Sequence, residues 1–188
     1  MAAVATAATG FVVLAGWHWH KTLLVQIASG LAPMQRNTAG GFVLCGLGLL
    51  LCVRGKRWGQ LCGLAAAALG LLTLLEYVLK IDLRIDQILG AAPLLARTSH
   101  PGRMSPLTAI CFVLVGSSMT VPWSEINRRR KARMTAFGGT LVSAIAAASL
   151  FSYFLGASAV FGWTQVTWMA AHTAFCFLLL ASSLITRA

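Results

Sequence analysis

Six apolar runs, at roughly residues 2–19, 37–53, 58–79, 105–123, 134–155 and 166–186, take up most of a 188-residue chain and leave only short connections between them. Each approaches the ~20 residues that a helix needs to cross about 30 Å of hydrocarbon. A soluble core of this size has no means of covering them: 58% of the residues are hydrophobic, 10% are charged, and the mean hydropathy is +0.79. The alternation of a membrane barrel is absent, so helices, which satisfy their own backbone amides, are the expected spanning form. The expected fold is an all-α integral membrane protein of six transmembrane helices, forming one domain.

Charge gives the direction. The net charge of +11 is not a nucleic-acid footprint, because Lys and Arg gather between apolar runs. RGKRW (54–58), RRRKAR (128–133) and Arg187 carry nine of the fifteen basic residues, with Glu125 beside them. Lys21, Arg36, Lys80, Arg84, Arg97 and Arg103 lie on the other side with Glu76, Asp82 and Asp86. The positive-inside bias then puts both termini in the cytoplasm and three loops outside, a multi-pass arrangement. Trp58 and Trp123 fall at the inner boundary, and Trp17, Trp19, Trp163 and Trp168 at the outer one, where an amphipathic indole prefers the headgroup layer. The amino terminus has no Lys or Arg ahead of its apolar stretch and reads as a first span, not as a signal peptide.

One phrase occurs three times: MQRNTAGGF (34–42), MSPLTAICF (104–112) and MAAHTAFCF (169–177). Each opens the second helix of an outward-facing hairpin and is preceded by an aromatic cluster, GWHW (16–19), EYV (76–78) or FSYF (151–154). The chain is therefore a triplicated hairpin, with pseudo-repeats at about 2–53, 58–123 and 134–186. Positions i, i+4 and i+8 share a helix face, so Met34, Thr38 and Phe42 form one stripe, as do Met104, Thr108 and Phe112, and Met169, Thr173 and Phe177. Ala39, Ala109 and Ala174 beside them allow close helix approach. Such stripes serve packing, and where three of them converge they also offer a ligand-facing surface.

In KIDLRIDQIL, Ile81, Ile85, Ile88 and Leu89 recur with helical spacing, which predicts a short amphipathic helix on the outer surface with Asp82 and Asp86 solvated. TLLVQIASGLAP (22–33) is a candidate for a similar element. Glu76, the deepest acid, has Lys80 at i+4 and is expected either to pair with it or to contact a ligand. Gly59, Gly63, Ala67 and Gly70 form a small-residue face for close packing within the bundle or across a homodimer.

Four histidines, His18, His20, His100 and His172, map to the outer half. A haem or metal held by His18 or His20 with His172 is the minor alternative to no cofactor. The HWH pair, at i and i+2, does not share a helix face. The five cysteines lie in or beside apolar runs without a CxxC and read as buried thiols. No phosphate loop, HExxH or nucleophile with an evident base occurs, so no enzyme activity is expected.

Across residues 11–186 the chain resembles the six-span amino-terminal region found in many bacterial membrane sensors ahead of PAS, histidine kinase or diguanylate cyclase domains. The resemblance is carried by MQRNTAGGF, LLEYVLKIDLRIDQIL, TSHPGRMSPLTAICF and MAAHTAFCF. The family pattern has Asn before Thr-Ala, present as Asn37 but replaced by Leu107 and His172. The resemblance implies a sensory or anchoring module whose outer half perceives a small ligand, lipid, quinone or redox state. Its output would pass to a cytoplasmic partner or output domain, since none follows Arg187 in this sequence. The candidate ligand-facing residues are Met34, Asn37, Thr38, Phe42, Glu76, Met104, Thr108, Phe112, Met169, His172, Thr173 and Phe177. The alternative is a scaffold or cofactor-binding subunit of a respiratory or photosynthetic complex, meeting haem, quinone or pigment through its outer His and Trp residues. In both readings the partners are the lipid bilayer and a larger membrane assembly or homodimer, with no nucleic acid.

Overall fold

The computed structural model describes residues 1–28, 31–87, 102–120, 128–155 and 169–187. Their regular structure is entirely helical: α1 (Ala2–His18), the single turn α2 (Thr22–Val25), α3 (Arg36–Val53), α4 (Trp58–Leu79), a 3-10 turn (Ile85–Gln87), α5 (Pro106–Thr120), α6 (Arg128–Phe154) and α7 (Ala171–Ile185). Three helices, Arg36–Val53, Trp58–Leu79 and Arg129–Phe154, are long and apolar enough to cross a membrane, while α1, α5 and α7 are apolar but have only 15 to 17 residues. The six expected segments therefore recur as helices, with full spanning length in three of them. The expected element at 22–33 is reduced to the turn α2.

α1 packs on α3, α4 on α5, and α6 on α7, which gives three helical hairpins. α3 also packs on α4, α5 on α6, and α7 on α1, so the hairpins close into a ring. The second helices, α3, α5 and α7, meet one another along the centre. Burial explains that arrangement. Counting from each phrase's Met, the residues one, four, eight, eleven and fifteen places on are all buried in all three helices, at no more than 5% exposure. This 3-4-3-4 spacing is that of a helix seam, and it stacks the axis in layers. From the outer end these are Gln35, Ser105 and Ala170, then the three Thr, then the three Phe, then Cys45, Val115 and Leu180, then Leu49, Met119 and Leu184.

The Phe layer is the clearest sign of threefold register. The rings of Phe42, Phe112 and Phe177 are fully enclosed, and their centroids are 4.8, 5.0 and 5.1 Å apart in tilted or edge-on pairs, the separation and tilt favoured by aromatic quadrupoles. Gly41 makes room for it: a Cβ there would lie 2.6 Å from the Phe112 ring. The outer helices repeat in the same register. A Cβ on Gly10 would stand 2.6 Å from the Ala39 carbonyl oxygen, and one on Gly70 2.5 Å from that of Ala109, so the small residues of the phrase meet small residues of the partner helix.

Candidate functional site

The end of the bundle at which α3, α5 and α7 begin is built first by backbone and aromatic hydrogen bonds that recur in each hairpin. Trp17 Nε1 donates to the Met34 carbonyl (2.9 Å), Tyr77 Oη to that of Met104 (3.1 Å) and Tyr153 Oη to that of Met169 (2.6 Å). Each is an anchor from a hairpin's first helix to the start of its second. Trp17 is accordingly buried under the Arg36 guanidinium, 5.0 Å from its ring centroid. Trp19 and Trp58 are exposed. The helix starts match as well: the N–H groups of Ala39, Ala109 and Ala174 donate to the carbonyls of Gln35, Ser105 and Ala170, each at 3.0 Å. Met34, Met104 and Met169 are therefore equivalent in place, and all three are buried.

On this frame three of the chain's four acids gather around Arg103. Arg103 Nε lies 2.8 Å from Asp86 Oδ2 and 3.3 Å from Glu76 Oε2, and a terminal nitrogen lies 3.7 Å from Asp82 Oδ1. Glu76 is completely enclosed, Arg103 and Asp86 nearly so, and Asp82 is largely exposed. Tyr77 stacks beneath the guanidinium at 5.4 Å. Asn37 Nδ2 donates to Asp86 Oδ1 (2.9 Å), so the cluster ties the first hairpin to the second. The same Asn37, in the first turn of α3, accepts from the Thr38 N–H through Oδ1 at 2.7 Å. Burial by itself would lower the Arg103 pKa; the hydrogen bond and charge of Asp86, with the charge of Glu76, outweigh it and hold the pKa above its ordinary value. The guanidinium stays charged.

Three expectations are corrected here. Glu76 pairs with Arg103 and not with Lys80, because Lys80 turns into the left-handed region at φ 54° and ends α4. Asp86 is buried, not solvated, because Arg103 and Asn37 both claim it. The amphipathic surface helix does not form over residues 81–84: the Leu83 N–H goes to Glu76 Oε1 (2.8 Å) and the Arg84 N–H to Asp82 Oδ1 (2.9 Å), leaving one 3-10 turn at Ile85–Gln87. Side chains have taken backbone donors that a helix would use. Ile88, Leu89, Arg97, His100, Trp123, Glu125, Trp163 and Trp168 lie outside the described residues.

Among the candidate ligand-facing residues, the three Met, three Thr and three Phe are all buried and share the axial or adjoining positions, while Asn37 and Glu76 belong to the Arg103 cluster. His172 occupies in α7 the place that Asn37 has in α3, and its Nε2 is enclosed without a hydrogen-bond partner. His18 and His20 are exposed, so they do not share that enclosure, and this arrangement does not fit a haem held between them and His172. No group of three or more His, Cys, Asp or Glu suited to a metal occurs among the described residues. Arg103, Asp86, Tyr77 and Gln35 are the residues that sequence reasoning passed over. The available signal was the scarcity of acids: three of four fall within residues 76–86, ahead of an arginine that directly precedes a repeat.

Comparison of the chain with protein-family models, with curated proteins and with solved structures gives no match.

Proposed function

We propose that this chain is the membrane-embedded sensory module of a bacterial signal-transduction protein. It crosses the inner membrane six times as three hairpins, with both termini in the cytoplasm, and perceives a small ligand at its outer end. The observation that carries the reading is the buried cluster of Glu76, Asp86, Arg103 and Asn37. Charges enclosed in an apolar helical bundle are costly to desolvate, and their common roles are in ligand pathways, relays and switches. This cluster joins two hairpins by side-chain contacts alone, so an occupant that altered it would change how the hairpins lie against each other. Rigid helices carry such a change to the inner end, where a cytoplasmic partner would read it.

The test uses Asn37→Leu, which copies the residue found at the same place in the second repeat, Leu107. Nitroxide labels on cysteines introduced at Lys56 and Arg133, both exposed, report the distance between inner ends by pulsed EPR. The expected outcome is a displaced distance distribution in a folded Asn37→Leu protein. An unchanged distribution overturns the sensory reading. A Soret or pigment band in the protein purified from its native membrane would replace it with the cofactor-carrying subunit.

A further inference from the structure

The helices α3, α5 and α7 begin at one level, fixed by the matching N–H to carbonyl bonds of Ala39, Ala109 and Ala174 and by the Phe triad seven residues beyond Gln35, Ser105 and Ala170. At ~1.5 Å of rise per residue, that level is about 10 Å above the rings. Packed helices stand ~8–10 Å apart, so three N-termini, each equivalent to about half a positive charge, meet around one axis. Apart from Ala170, the side chains between them are polar, in contrast to every layer from the Phe rings inward: Gln35 and Ser105 in one layer and the three Thr in the next.

Capping at this level is uneven. In α5, Ser105 Oγ accepts from the Thr108 N–H at 3.1 Å and lies 2.8 Å from Thr108 Oγ1. In α7 the N-cap is Ala170, which has no side-chain oxygen to offer its first turn. In α3 the N-cap Gln35 makes no capping bond; the residue is 3% exposed, and its Nε2 is enclosed with no hydrogen-bond partner. A buried amide donor without an acceptor forfeits about 1–3 kcal/mol. Gln35 shares its heptad phase with Phe42 and Leu49, so it is directed at the axis. At this end the buried carboxylates of Glu76 and Asp86 face Arg103, and Glu76 Oε2, 3.3 Å from its Nε, accepts no hydrogen bond. What the axis offers is donors and positive dipole ends, an arrangement that suits a small acceptor of negative charge.

We propose that this axial polar layer binds a small monovalent anion, of the size of chloride, nitrate or formate, through Gln35 Nε2, the first-turn amides of α7 and the Thr173 hydroxyl. The Phe triad closes the site on its inner side. The inference deepens the sensory reading by naming a ligand class. It rests on that reading for the consequence of binding; occupancy of the site is measured separately.

The experiment takes the full chain in detergent and replaces sodium gluconate by chloride, nitrate or formate at constant ionic strength, following thermal unfolding by tryptophan fluorescence. At least one small anion is expected to raise Tm saturably, and Gln35→Met is expected to raise the half-saturating concentration at least tenfold. Thr173→Val serves as the second variant should Gln35→Met fail to fold, and Arg54→Gln, exposed at the opposite end of α3, should keep wild-type saturation. A Tm unchanged by the exchange of gluconate for every small anion overturns the site, as does saturation undiminished in both Gln35→Met and Thr173→Val. A saturable anion effect with no change in the inner-end EPR distances keeps the site and removes the sensory reading. The reverse pair of results keeps the sensory reading and removes the site.

Discussion

Arg103 carries more of the outer end than any other single side chain, because it is enclosed with two buried carboxylates and approached by a third. Removing one member of a buried ionic group strands the others, which costs about 3–5 kcal/mol. Arg103→Ala should therefore lower the unfolding free energy by roughly that amount. Asp82→Asn should change it by less than about 1 kcal/mol, because the Asp82 side chain is 62% exposed and screened by water. Reversible SDS unfolding of the purified protein checks both, and a variant Arg103→Ala as stable as its parent would mean that the cluster does not hold the fold. At this scale the sequence was legible where spacing is local. The Met, Thr and Phe stripes follow from i, i+4 and i+8. The partner of Glu76 does not, because it stands 27 residues along the chain, beyond the reach of any helical spacing. Helical spacing pointed to Lys80, and a left-handed turn at Lys80 removed it from that geometry.

The elements were more legible than their connections. The run expected at 58–79 is α4 residue for residue, and 37–53 differs from α3 by one residue, because apolar composition marks a helix that must satisfy its own backbone. α6 begins at Arg128, six residues before the apolar run, since Arg and Lys are good helix formers and simply extend it past the apolar layer. What ends and joins the helices depended on hydrogen bonds that no periodicity encodes. The anchors from Trp17, Tyr77 and Tyr153 to the three Met carbonyls are of this kind. Tyr77→Phe and Tyr153→Phe should each cost about 1 kcal/mol, and the double variant about the sum, because the two bonds belong to separate hairpins. A coupling above about 0.5 kcal/mol in that cycle would contradict the separation. Gly70→Leu should cost more than either, about 1–3 kcal/mol, by forcing α4 away from the Ala109 carbonyl.

For the whole molecule, orientation is the property that composition and geometry address together. With Cys52 and Cys62 replaced by alanine, cysteines introduced at Lys56 and Arg133 should react with an impermeant maleimide from the same side of sealed membrane vesicles, and one introduced at Asp82 from the opposite side. Labelling of Lys56→Cys and Arg133→Cys from different sides would break the hairpin arrangement. The ring itself bears on ancestry. A unit of two antiparallel helices enters and leaves by one face, so tandem copying of its coding segment adds a subunit without inverting any copy, whereas a unit with an odd number of passes inverts its neighbour. Three such copies can occupy equivalent stations around an axis while carrying different residues there, as Asn37, Leu107 and His172 do. A homotrimer would be bound to symmetry there; fusion into one chain frees each station to acquire its own chemistry.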